Sequence, residues 1–203
     1  MNQSLYLLKF HPILKEKIWG GEKIETILGK CFHPASNCGE SWELSGLEGD
    51  ISIVANGFLE ENDLNELTEI YMYDLLGDEP YLKYGLGFPL LIKFIDAKDD
   101  LSVQIHPDDE FAQEHYQMNG KNELWYVMDA DDGAGLYVGF KNKTTKMQFA
   151  EAVKKGTVDQ LLNFYPVKEG DVFYIPAGTV HAIGKGVMLA EIQQSSDITL
   201  RVF

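Results

Sequence analysis

From Asp171 to the last residue the chain runs through four short apolar segments, "DVFYI", "VHAIG", "VMLAEIQQ" and "TLRVF", with Pro, Gly or Ser between successive ones. Segments this short, rich in β-branched and aromatic residues and bounded by turn formers, are strands rather than helices. The same pattern occupies the N-terminal third in "KIWGGEKI", "GESWELSG" and "DISIVANG", and the middle in "PLLIKFIDA", "LSVQI", "NELWYVMDA" and "GAGLYVGF". With 203 residues and 45% hydrophobic content there is enough material for one sizeable core. The predicted fold is mainly β, a barrel or sandwich, with helices attached.

Helical signals interrupt the strands. In "DLNELTEIYMYDLLG", Asp63 and Glu66 have capping-box spacing, and Leu64, Leu67, Tyr71 and Leu75 share one face before Gly77. This predicts one helix within about 61–76. Pro107, Asp108, Asp109 and Glu110 have the chemistry of a helix start, because carboxylates complement the positive end of the helix dipole; the segment 108–118 follows. Thr145 to Lys155 and Thr157 to Phe164 read as two more helices, the first stopped by Gly156 and the second opened by Thr157 and Gln160. The polar "KDD" between "PLLIKFIDA" and "LSVQI" suits a hairpin turn, and Asp129 to Gly133 joins the next pair of strands.

Lys and Arg total 17 against 32 Asp and Glu, a net charge of -15. That field repels nucleic acid and acidic lipid, so neither is an expected partner. An anionic ligand would need a local reversal of the field by a metal ion or a few placed cations. No apolar run reaches the roughly 20 residues of a membrane span, and the N-terminus lacks a leader pattern, which predicts a cytoplasmic protein. Cys31 and Cys38 are read as reduced structural thiols, since one close pair supplies neither a disulfide framework nor four zinc ligands.

Side chains alternate across a strand, so Ser102, Gln104 and His106 fall on one face of "LSVQIH", and Lys121 and Glu123 on one face entering "NELWYVM". His181 restarts a strand after the turn "PAGTV". Singly, each has an ordinary structural explanation. Together, Gln104, His106, Glu123 and His181 offer nitrogen and oxygen donors suited to zinc or another divalent ion, from three strands that a barrel would bring together.

"GDVFYIPAGTVHAIGKG" resembles the second cupin motif in Gly170, Pro176, Gly178 and His181, with Lys185 where that motif usually ends in Asn. "FPLLIKFIDAKDDLSVQIHPDDEFA", "GKNELWYVM" and "SSDITLRVF" are similar to type I mannose-6-phosphate isomerases in their short bacterial form. The resemblance implies a cupin-type β-barrel or jelly roll with helical insertions, as a single catalytic domain over 1–203 that lacks a second, C-terminal cupin half. It implies a zinc enzyme interconverting mannose 6-phosphate and fructose 6-phosphate through a cis-enediol, with Gln104, His106, Glu123 and His181 as metal ligands. Ser102 matches a contact to the sugar phosphate, and Lys121 and Arg201 match active-site cations, Lys121 as an acid/base whose pKa burial and neighbouring positive charge would lower toward neutrality. The identity of the base that moves the carbon-bound proton does not follow from the sequence. Trp19 matches a family position at the substrate mouth, although Trp19 and Trp42 equally suit core positions beside glycine turns. Glu40 and Glu43 read as exposed, and His11, His33 and His115 carry no pattern. A metal-binding sugar-phosphate module without turnover stays open as the alternative.

Overall fold

A computed structural model describes residues 5–30 and 37–202. Cys31 and His33 lie outside them. Two antiparallel sheets face one another. The strands in chain order are β1 (Ile13–Gly21), β2 (Cys38–Leu44), β3 (Leu90–Asp96), β4 (Gln104–Ile105), β5 (Glu123–Ala130), β6 (Gly135–Phe140), β7 (Leu162–Pro166), β8 (Val172–Ile175), β9 (His181–Ile183), β10 (Val187–Gln194) and β11 (Leu200–Arg201). The first sheet is ordered β1-β2-β3-β10-β5-β8 and the second β11-β4-β9-β6-β7. No strand belongs to both, so this is the jelly-roll sandwich rather than a continuous barrel.

From β3 to β6 and again from β7 to β11, consecutive strands cross between the sheets. The "KDD" stretch therefore does not close a hairpin: β3 pairs with β2 and β10, while β4 pairs with β9 and β11. The turn after β5 likewise carries the chain to the opposite sheet, where β6 pairs with β7 and β9. Both turns have polar chemistry suited to a hairpin, but the apolar faces they join are buried against each other instead of side by side.

The core between the sheets holds Trp125, Val127, Leu136, Val187 and Leu189, all fully buried. Each such side chain stabilises the fold by about 1.5–3 kcal/mol relative to exposure. A second cluster, around Val103, Val158, Leu162 and Val180, is joined by Phe149, Ala152 and Val153.

The helices are α1 (Lys23–Thr26), α2 (Leu64–Tyr71), α3 (Tyr73–Leu76), α4 (Asp78–Tyr84), α5 (Asp109–Tyr116) and α6 (Lys146–Lys155), the last of which supplies those three residues to the second cluster. The capping box of Asp63 and Glu66 is present, but the single helix expected up to residue 76 breaks at Met72, whose φ of 44° interrupts the helical hydrogen bonding. Tyr71 and Leu75 still join Leu67 against one cluster, so the apolar face survives the break. At α5 the side chain of Asp108 accepts a hydrogen bond from Phe111 N at 2.8 Å, and Pro107 stands one place ahead of the cap. The helix expected from Thr157 to Phe164 is absent. Val158–Leu161 forms one 3-10 turn without a side-chain cap, and Leu162–Pro166 is strand β7. Leu162 is fully buried there, and the β-prone Phe164 and Tyr165 pair with Tyr137 and Leu136 of β6. That tertiary pairing outweighs a local capping signal.

Candidate functional site

Strand register decides which side chains meet inside the sandwich. Across the first sheet Trp42 pairs with Lys93, Lys93 with Glu191, Glu191 with Trp125, and Trp125 with Phe173. One row on the inner face thus reads Trp, Lys, Glu, Trp, Phe. The next inner row is Leu91, Gln193, Glu123, Ile175. On the facing sheet Arg201 pairs with Gln104, and Gln104 with His181. The two sheets therefore bring Gln104 and His181 opposite Glu123, and His106 follows directly after β4.

The backbone ties these segments together. Lys121 N donates to Pro107 O at 3.0 Å and Gly178 N donates to His106 O at 2.8 Å. Gly120 admits the approach, since a Cβ there would lie 2.5 Å from the backbone of Asp108 and Asp109. The carboxylates after His106 thus serve the helix and this junction: Asp108 caps α5, and Asp109 accepts from Gly120 N at 2.9 Å.

His106, Glu123 and His181 are each about 1% exposed, and one ligand atom from each lies within 4.8 Å of the others. His106 Nδ1 donates to Ile198 O at 2.9 Å and His181 Nδ1 to Thr179 O at 2.8 Å. A carbonyl only accepts, so each ring is held with its proton on Nδ1 and a lone pair on Nε2. Both Nε2 atoms and both Glu123 oxygens are buried and make no hydrogen bond. Oε1 has the Lys121 ammonium beside it at 2.9 Å, while Oε2 and the two Nε2 atoms converge with no hydrogen-bond donor, an arrangement that is costly unless a cation occupies the place between them. Two imidazoles and a carboxylate form a donor set that fits a divalent metal ion, and Gln104 lies beside it as the strand partner of His181.

The electrostatics agree. Burial opposes ionisation of Glu123, but the Lys121 ammonium, whose Nζ lies 2.9 Å from Oε1, outweighs it and holds the carboxyl well below the ordinary range. Burial pushes His181 down to about 4 against the pull of Glu123. The imidazole is neutral and able to donate a lone pair at physiological pH.

Beside these donors lies a cavity of about 270 Å³, whose walls include Trp19, Ser102, Gln104, Lys121, Arg201, Lys17, Glu40, Lys93 and Glu191. Trp19 both lines it and packs against the core, so its two sequence readings coincide. Arg201 is exposed at the rim. An adjoining space of about 290 Å³ shares Lys17, Lys93, Lys121 and Arg201 and adds Lys15. The five cations of the two spaces stand against Glu40, Glu191, Asp50 and Asp197, so the lining is close to balanced in charge although the chain carries -15.

Sequence reasoning named Lys121 and Arg201 but missed Lys17, Glu40, Lys93 and Glu191 of the cavity wall. Glu40 is 8% exposed, not a surface group as expected, and Glu43 is half-buried, paired with Lys30 at 2.9 Å. Trp42 Nε1 donates to Glu40 Oε2 at 2.7 Å, and Lys17 lies 3.5 Å from Oε1. Lys93 Nζ sits 3.0 Å from Glu191 Oε1, and Trp125 Nε1 donates to Glu191 Oε2 at 2.8 Å. Burial works against the charge on Lys93, but Glu191, Glu40 and Glu123 hold its ammonium above the usual lysine range. The available signal was a charged residue in inward register on an apolar strand: Lys93 lies between Leu91 and Ile95.

Glu40 supplies a pH test. Burial raises its pKa, but Lys93 and Lys17 prevail and hold it below 4.5. A depressed carboxyl stabilises the fold above its unfolded pKa, and the contribution fades as pH falls through the folded one. Glu40→Gln is therefore expected to melt below the parent protein at pH 7, with the gap narrowing as pH drops below about 4.5. A gap independent of pH in thermal melts would remove Glu40 from this charge balance.

Comparison with known proteins identifies the family. The catalytic domain of type I phosphomannose isomerase matches residues 7–134. The mannose-6-phosphate isomerase of Streptococcus mutans is 43% identical over 190 residues, covering 94% of this chain and 58% of its own length. ManA of Bacillus subtilis is 42% identical over 197 residues, with 97% and 60% covered. The crystal structure of the Bacillus subtilis mannose 6-phosphate isomerase superposes with a TM-score of 0.88 at 36% identity, over 97% of this chain and 60% of that one. The chain thus spans about three-fifths of the length of these relatives, and it belongs to the type I phosphomannose isomerase catalytic-domain family.

Proposed function

We propose that the chain is the metal-bearing part of an aldose–ketose isomerase that interconverts mannose 6-phosphate and fructose 6-phosphate. The observation that carries this reading is the set of four buried ligand atoms, none of them hydrogen-bonded, beside a cavity lined with charged side chains. Gln104, His106, Glu123 and His181 would hold zinc or another divalent ion. Such an ion supplies positive charge that polarises a carbonyl and stabilises a developing enediolate.

The remaining steps fall to the chain's own side chains. Ser102 and Arg201 bind the sugar phosphate from the cavity wall and rim, and Trp19 bounds its mouth. Lys121, fixed by Glu123, contacts the substrate oxygens and exchanges their protons. Glu191 is the carboxylate best placed to move the carbon-bound proton: it is buried, Oε2 is held by Trp125, and Oε1 is ion-paired with Lys93 but makes no hydrogen bond. It removes the proton from C2 of the aldose phosphate and returns it to C1 of the enediol, giving the ketose. The enclosing sheets limit water access to that intermediate. A small sugar phosphate is the partner, and the charge pattern gives no place to nucleic acid. No helix among the described residues is long and apolar enough to cross a membrane.

The test is an assay of this 203-residue chain, loaded with zinc and quantified for metal, for conversion of mannose 6-phosphate to fructose 6-phosphate, with chelated protein as control. Metal-dependent turnover is the expected result. Stoichiometric zinc without turnover would instead leave a metal-binding sugar-phosphate module, and no bound zinc would sink the four-ligand site.

A further inference from the structure

The geometry points to Trp125 as a positioning residue that aims Glu191 at the substrate. This inference rests on the isomerase reading, in which Glu191 carries the proton. Trp125 is fully buried and lies directly across from Glu191 in the β5–β10 pair. Its indole N–H donates to Glu191 Oε2 at 2.8 Å, and its ring meets His181 edge-on, with centroids 5.4 Å apart and planes at 79°. One side chain therefore touches both an imidazole of the candidate metal site and the carboxylate of the adjoining cavity.

The chemistry of the indole makes the contact directional. It is a donor only and does not ionise, so it occupies Oε2 whichever protonation state Glu191 adopts. A proton taken from substrate is thereby directed to Oε1. The same bond opposes collapse of the carboxylate onto Lys93, whose ammonium is 3.0 Å from Oε1 and would otherwise attract both oxygens. Trp125 thus keeps Glu191 facing the cavity despite the stronger charge beside it.

Trp125→Phe keeps the ring edge against His181 and deletes the donor. It is expected to lower kcat by about 10- to 100-fold, with KM within about twofold and zinc content unchanged. In a Glu191→Gln background the same substitution should have almost no further effect on residual turnover, because residues acting as a unit are not additive. A second readout is independent of turnover. The chain has three tryptophans, so the Trp125 indole N–H resonance is identified by its loss in Trp125→Phe. It should shift in Glu191→Gln. Penalties that multiply in the double variant, or an indole resonance indifferent to Glu191→Gln, would overturn the inference. If the parent chain is inactive, the isomerase reading fails on its own, and the indole resonance alone decides whether Trp125 holds Glu191.

Discussion

Glu123→Ala should leave the protein unable to retain zinc through desalting, with affinity lowered by more than about 100-fold, beyond the loss seen when only outer partners of a metal ligand are removed. Glu123 is the one anion among the four proposed donors, and it also neutralises Lys121, whose side chain is only 6% exposed. Removing it leaves a buried ammonium without its partner. The chelated variant should therefore lose about 3–5 kcal/mol of stability relative to the chelated parent. Metal analysis and denaturant melts of both proteins, each with chelator, separate the two effects. Glu123→Gln preserves the shape and should lose the metal as well, because a neutral amide is a weaker ligand and cannot balance Lys121. A Glu123→Ala protein holding one zinc per chain with parental affinity would show that the three buried groups do not form a metal centre.

Glu191→Gln is expected to reduce kcat by about 10²–10⁴-fold, the usual contribution of a positioned general acid–base group, while zinc binding stays intact. The amide still accepts from Trp125, so the side chain remains anchored, but it can neither take a proton nor balance the Lys93 ammonium. A loss of stability therefore accompanies the loss of kcat and is read separately in denaturant melts. Lys121→Met provides the comparison. It removes a group that contacts Glu123, so it should disturb metal affinity and KM together with kcat. Steady-state kinetics paired with metal analysis distinguish the two patterns. A Glu191→Gln enzyme within about threefold of the parent kcat would exclude Glu191 as the carrier of the carbon-bound proton.

The donors of the candidate metal site are legible in the amino-acid sequence because of their strand spacing. Gln104 and His106 lie two residues apart, Glu123 follows Lys121 by two, and His181 follows a Pro-Gly turn. Such residues on otherwise apolar strands stand out by type. Glu191 and Lys93 do not, because one charged residue in a strand such as "VMLAEIQQ" is indistinguishable from the solvent-facing member of an alternating pattern until its register is known. The two lie about 100 residues apart in sequence, and only the pairing of β3 with β10 joins them. Topology is hidden for a related reason. The "KDD" and Asp129–Gly133 turns have polar chemistry that serves a hairpin or a crossing equally, and which one forms depends on faces buried by distant strands. The stretch from Thr157 to Phe164 shows local and tertiary preferences in conflict: Thr157 and Gln160 resemble a helix start, yet burial of Leu162 against β6 and its neighbours selects a strand.

The row of Trp42, Lys93, Glu191, Trp125 and Phe173 also bears on how the sheet chooses its alignment during folding. A slip of β10 by one residue would turn Glu191 outward and bring Ala190 or Ile192 beside Lys93, depriving a buried ammonium of its ion-pair partner. Misaligned pairings of this central strand are thus penalised by charge as well as by lost packing. The cavity row works as a keyed joint, in which the groups suited to chemistry are also those that reject a wrong assembly.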